Sequence, residues 1–247
     1  MCTVAFIPGK SGSILASLRD ENPARAAALA PAIYHEGEHG YVMCEDPAGG
    51  GTWAGFNDTG SAIALLNGAF EAHKPAPPYR MSRGRIVRSL LASTMPVVEW
   101  MLADMDEIEP YTLIVFTDGR LFRLTWDGVE KHRLALDERT SHIFSSATLY
   151  DAAAAQMRRD HFENWMVMDP PVNRLSLMGF FKNVKDMQNG FIIDRGERMK
   201  TLSMSYMELS TENYSYYYYD LQRYEMHTCS LQTHGMNHLQ NTEYNEQ

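Results

Sequence analysis

Two Asp-Gly dipeptides, Asp118-Gly119 and Asp127-Gly128, interrupt apolar runs at close intervals. They constrain this chain more than any other feature. Asp-Gly supplies the positive φ that a tight two-residue hairpin needs, so the runs on either side must pair antiparallel. Leu113–Phe116, Leu121–Trp126 and a third strand ending near Leu136 therefore form a meander. The same pattern recurs elsewhere. Cys2–Ile7 returns through the Pro8–Gly12 turn into Ser13–Leu18, and Thr52–Phe56 and Ser61–Leu66 flank Asn57-Asp58-Thr59-Gly60. Thr201–Leu209 and Tyr214–Tyr224 flank Ser210–Asn213, and Gly40–Cys44 reads as one more strand. The run Tyr216–Tyr219 then straddles the two faces of a strand.

Helical patterns come in separate groups. Pro23–Pro31 is alanine-rich, with Asn22 as its cap. Arg83–Met105 carries Ile86, Leu90, Val97, Trp100 and Met101 at helical spacing, with Pro96 kinking or breaking it. Ala147–Trp165 is the third. Hairpins with segregated helices predict an antiparallel α+β fold and exclude the alternating βαβ pattern of nucleotide-binding sheets. The 247 residues, without a long linker, predict a single domain over 1–230 and a polar tail over 231–247.

Composition excludes several function classes. A net charge of −9 repels nucleic acid, and the four arginines between Arg80 and Arg88 read as one solvated helix face. No apolar run reaches the roughly 20 residues of a membrane span. The apolar stretch Thr3–Pro8 is shorter than a secretory signal requires, so a cytoplasmic location is expected. Three widely spaced cysteines (Cys2, Cys44, Cys229) fit a reducing compartment and no disulfide framework. No cofactor or metal is expected. Gly49-Gly50-Gly51 lacks the Gly-Lys-Ser/Thr of a phosphate loop and reads as a turn. His35-Glu36-Gly37-Glu38-His39 matches H-E-x-x-H, but Gly37 and Gly40 oppose the helix a zinc site needs. His227, Cys229, His234 and His238 form a loose cluster on a polar end. The sixteen methionines read as core filler, although they also suit a soft cleft for a porphyrin or acyl chain.

Cys2 has a chemical reason to matter. Removal of Met1 leaves a free α-amine, pKa near ~8, beside the thiol, so that one residue supplies nucleophile and base. Alone, Arg19-Asp20-Glu21 is a charge cluster at a strand end and Asn67-Gly68 a turn signal.

Taken together, several motifs resemble the NRDE family, named for an Asn-Arg-Asp-Glu signature, which includes the transport and Golgi organisation 2 proteins. They are Met1-Cys2-Thr3, Arg19-Asp20-Glu21, Gly50-Gly51-Thr52-Trp53-Ala54-Gly55, Asn57 with Gly60, Leu65-Leu66-Asn67, Ser82-Arg83-Gly84 and Phe144–Tyr150. They cover most of residues 1–165 and, more weakly, the strand after Arg198. That family is similar to the penicillin V acylase and bile salt hydrolase group of N-terminal-nucleophile hydrolases. The resemblance implies a four-layer αββα sandwich and hydrolysis of a non-peptide C–N amide bond. Cys2 matches the nucleophile, Asn67 the oxyanion asparagine and Arg198 a late active-site arginine. Arg19 is expected to lower the thiol pKa, and Asp20 to orient the amine. Glu21, Trp53, Asn57 and Ser146 are expected to bind substrate. Three positions depart from the pattern. Leu18 replaces the first Asn of the signature and stands where the acylases carry arginine, Glu21 stands where they carry aspartate, and Ser146 where asparagine is usual. The alternative implied by the family is a non-catalytic carrier of haem or a lipid-like ligand on the same fold. The expected partner is thus a small amide substrate or a haem-like ligand.

Overall fold

Asp118 and Gly119 take φ of 51° and 67° and close a two-residue turn between the paired Thr117 and Arg120, whereas Asp127 and Gly128 open a longer loop over 127–130, between the paired Trp126 and Lys131, in which Gly128 takes φ 102° and Asp127 keeps a negative φ. The computed structural model describes residues 2–211 and 213–233. In chain order its elements are β1 (Cys2–Gly9), β2 (Gly12–Glu21), β3 (Ala32–Glu36), β4 (His39–Met43), β5 (Ala54–Asn57), β6 (Ala62–Asn67), α1 (Arg83–Leu91) and α2 (Pro96–Leu102). There follow β7 (Tyr111–Thr117), β8 (Arg120–Trp126), β9 (Lys131–Leu136), β10 (His142–Ser145), α3 (Ala152–Val167), α4 (Arg174–Asn183), β11 (Lys200–Leu209), β12 (Asn213–Asp220) and β13 (Glu225–Gln232). Among the described residues, no helix is long and apolar enough to cross a membrane.

One sheet is a seven-stranded meander, β3 through β9 in sequence order. The other has six strands, ordered β10-β1-β2-β11-β12-β13, all antiparallel. Alternation along the strands sends side chains to two cores. Val4, Phe6, Leu15, Met207, Tyr216 and Tyr218 face the meander. Ala5, Ile7, Ala16, Leu18, Met204 and Tyr206 face Phe162 of α3 and Phe180 and Phe181 of α4. Helix α1 covers β5 and β6 on the far side of the meander. The result is the four-layer αββα sandwich that the resemblance implies. The tyrosine run behaves as alternation requires: Tyr216 and Tyr218 join the core between the sheets, while Tyr217 and Tyr219 lie against the helical layer.

Some elements differ from expectation. Residues 23–31 are not helical. Asn22 closes a turn instead, its carbonyl and side-chain oxygen accepting from the Arg25 and Ala24 amides. Pro23 and Pro31 bracket the segment, and Arg25 is drawn across to Asp46. The long helical pattern divides into α1 and α2 because Pro96 cannot continue a helix and takes the first position of the next one. His35 and His39 lie on the hairpin between β3 and β4, turned by Gly37 at φ 62°, so they are not stacked on a helix face. Strands β3, β10 and β13 and helix α4 carried too little periodicity to be read. Strand β13 runs to Gln232 with Cys229 and Leu231 against the core. The remainder of the expected tail, with His234 and His238, lies outside the described residues.

Candidate active site

Strand β1 begins inside the sandwich. Its first described residue, Cys2, is 3% exposed and pairs in register with Arg19 of β2. Both line a cleft of about 140 Å³ between the sheets, together with Glu21, Arg25, Asp46, Thr52, Trp53, Asn67 and Arg83.

Each neighbour arrives by a local device. Asn67 ends β6, where Gly68 turns the chain at φ 83°, and a Cβ there would meet Thr148 at 2.8 Å. The loop after β4 crosses the start of α1 at Gly51, where an added Cβ would lie 2.1 Å from the Gly84 carbonyl carbon. That backbone approach, reinforced by the Thr52 amide donating to the Gly84 carbonyl at 3.1 Å, brings Trp53 and Arg83 to the same opening.

Strand alternation sorts the charged triplet. Arg19 and Glu21 line the cleft. Asp20 points the opposite way with Leu18 and is wholly buried. The triplet is not a solvated cluster. The Arg19 guanidinium lies 4.3 Å over the Trp53 ring and 3.5 Å from Asp46 Oδ1. Asp46 also takes Arg25 at 2.5 Å. Asp20 accepts from the Thr201 hydroxyl at 2.7 Å and the Tyr150 hydroxyl at 2.9 Å. Burial pushes its carboxyl above the ordinary range, and the nearby Arg158 pulls it back down. Arg158 is itself fully buried, donating to Thr3 Oγ1, Ser145 Oγ and the Asn189 and Gly190 carbonyls. Burial likewise pushes the Cys2 thiol up, outweighing the downward pull of the chain's amino terminus and of Arg19. The expected lowering by Arg19 is therefore present as a contribution but not as the net effect.

Ser146 does not line the cleft. Its amide donates to the Cys2 carbonyl at 3.1 Å and its hydroxyl to the Asn67 carbonyl at 2.7 Å, so it clamps the two together from behind. Asn57 is structural. It is 1% exposed, donates to the Leu91 and Ser93 carbonyls and accepts from the Ser61 amide and Thr59 hydroxyl, fastening the β5–β6 hairpin to the end of α1. Arg198 is exposed in the turn before β11 and does not line the cleft.

Arg83 lines it instead. It is largely buried, held by Glu109 at 3.0 Å and by the Pro110 carbonyl at 3.2 Å, which corrects the reading of Arg80–Arg88 as a solvated face. Its motif, Ser82-Arg83-Gly84, was visible in the sequence, whereas its direction was not. Arg25, Asp46, Arg158 and Thr201 had no sequence signal as site residues, because each has a partner across 20 or more intervening residues, whereas Tyr150 closes the Phe144–Tyr150 motif but its reach to Asp20 was not legible.

Comparison with known proteins bears on the family and the fold. A model of the transport and Golgi organisation 2 family matches residues 1–167. A search of curated proteins returned no match. Among solved structures, the N-acylethanolamine-hydrolyzing acid amidase ortholog of Caenorhabditis elegans is similar over 83% of this chain and 92% of that one, at 11% identity and a TM-score of 0.58. A conjugated bile acid hydrolase from Clostridium perfringens, with its second-residue cysteine mutated to alanine, is similar over 94% and 92%, at 12% identity and a TM-score of 0.53. An arginine-to-leucine variant of that hydrolase is similar over 96% and 100%, at 12% identity and a TM-score of 0.52. At such identities the likeness is one of fold, and the fold is that of the N-terminal-nucleophile hydrolases.

Proposed function

The chain belongs to the transport and Golgi organisation 2 family, and from that premise we propose that it is a cysteine hydrolase cleaving a non-peptide C–N amide bond through an acyl-enzyme. The observation that carries this reading is the meeting of Cys2, Arg19 and Asn67 in one cleft on the sandwich fold.

The chemistry requires removal of Met1. The freed α-amine then accepts the Cys2 thiol proton as Sγ attacks the amide carbon. That amine matters more because burial disfavours a free-standing thiolate. Asn67 donates to the oxyanion of the tetrahedral intermediate. Collapse expels the amine, which takes the proton, and leaves a thioester on Sγ. Water, deprotonated by the same α-amine, attacks the thioester and releases a carboxylic acid with the thiol restored. Arg19 offsets negative charge beside Sγ, and Asp20, balanced by Arg158, orients the α-amine. Ligand carriage in this cleft is less well served, since about 140 Å³ is below the ≈300–1,000 Å³ typical of pockets that enclose drug-sized ligands.

Intact mass and alkylation test the proposal. The purified protein is expected to lack Met1, and iodoacetamide should modify Cys2, which lines the cleft, before Cys44, which is enclosed in the core. Replacing Arg19 by Met should slow Cys2 modification several-fold. A retained Met1, or Cys2 less reactive than Cys44, would sink the nucleophile.

A further inference from the structure

The lining of the cleft is chemically one-sided. Three arginines, Arg19, Arg25 and Arg83, stand there against two carboxylates, Glu21 and Asp46, in a chain of net charge −9. Asp46 is already shared by Arg19 and Arg25. Arg83 is anchored by Glu109, which is not part of the lining.

The start of α1 adds to this. Ser82, Arg83 and Gly84 all line the cleft, yet Ser82 does not cap the helix with its side chain; its hydroxyl donates to the Gly49 carbonyl at 2.9 Å. The first turn holds no acidic residue. The positive end of the helix is therefore left for an outside anion.

Trp53 adds an independent observation. Trp53 is 5% exposed and lines the same cleft, and among the described residues its indole Nε1–H has no acceptor. A buried indole N–H ordinarily finds one. Guanidinium, helix amides and indole thus all present donors, and the small volume admits a reacting amide with few further atoms. A long acyl chain or a fused ring system would have to lie outside it.

We propose that the substrate is a small amide bearing a carboxylate, with the carboxylate held by Arg83, the first turn of α1 and Trp53 Nε1. The reaction assumed is that of the preceding subsection, but the acid site can be measured without turnover. The Cys2→Ala protein is titrated by calorimetry with N-acetylglycine and with its uncharged N-methylamide. The acid should bind ~10-fold or more tightly than the amide, with a preference that shrinks as ionic strength rises. Arg83→Met should abolish the preference. Trp53→Phe, which keeps the ring, should weaken the acid ~3-fold or more, and it serves if Arg83→Met fails to fold. Equal binding of both ligands, or tighter binding of the neutral one, overturns the inference. Acid binding without cleavage of any amide by the wild type leaves the acid site standing and removes the hydrolase. Cleavage of neutral amides with no gain from a carboxylate does the reverse.

Discussion

Asn67 and Asp20 carry opposite kinds of information. Asn67 lines the cleft, and in the proposed reaction its amide would act only once an oxyanion exists. Asn67→Ala should lower kcat ~100-fold or more with little change in KM. A rise in KM alone at unchanged kcat would assign Asn67 to ground-state binding. Asp20 lies outside the cleft lining and makes a statement about stability. Its folded pKa is raised, chiefly by burial. The folded state therefore holds a proton at pH values where the unfolded chain, titrating near ~3.9, has lost it. The stability associated with that proton is complete below the unfolded value and is lost as pH rises through the folded one. Melting temperatures of wild type and Asp20→Asn measured from acid to neutral pH should shift in favour of the variant as pH rises. Parallel curves would mean that Arg158 and the two hydroxyls fully offset the burial.

Among the elements, the crossing of the β4–β5 loop over α1 decides whether the cleft exists. Gly51 and Gly84 allow the two backbones to touch, and a Cβ at Gly51 would meet backbone that cannot swing aside. Gly51→Ala should cost about 1–3 kcal/mol and reduce activity more than its stability loss explains, since Trp53 and Arg83 would move apart. Denaturant melts beside kcat/KM would check this, and an unperturbed variant would refute the close approach. The clamp made by Ser146 is of the same kind. A short strand, β10, contributes no side chain to the lining, yet its end fixes the spacing of Cys2 and Asn67 through two hydrogen bonds. Serine, where the acylases carry asparagine, thus retains a positioning task in this chain.

At the scale of the molecule, the six-stranded sheet contributes to both cores, so neither the meander nor the α3–α4 layer can leave without exposing apolar surface on that sheet. Unfolding should be a single transition. Fluorescence from Trp165, in the helical layer, and from Trp100, on the meander side, should change at the same denaturant concentration in single-tryptophan variants. Separate midpoints would show that the layers fold independently. The sequence by itself determined what depends on neighbours along the chain. The Asp-Gly turns dictated antiparallel pairing, Pro96 divided the helix, and the short Pro8–Gly12 turn paired Cys2–Ile7 with the strand that follows, whereas the pairing of its other edge with β10 had no local signal. The resemblance carried by its ordered motifs also implied that Cys2, Arg19 and Asn67 share a site, and all three line one cleft. Tertiary structure alone decided the rest. Whether Arg19 or Asp20 enters the cleft depends on which sheet face is covered, and a strand with both faces buried leaves no polar alternation to read. Asn57 and Arg83 exchanged roles, the one becoming a fastener and the other a wall of the site, because both are polar side chains whose partners are chosen by packing across the sandwich. Arg158 had no local signal at all, since the groups that justify burying its charge come from strands and loops far away in sequence.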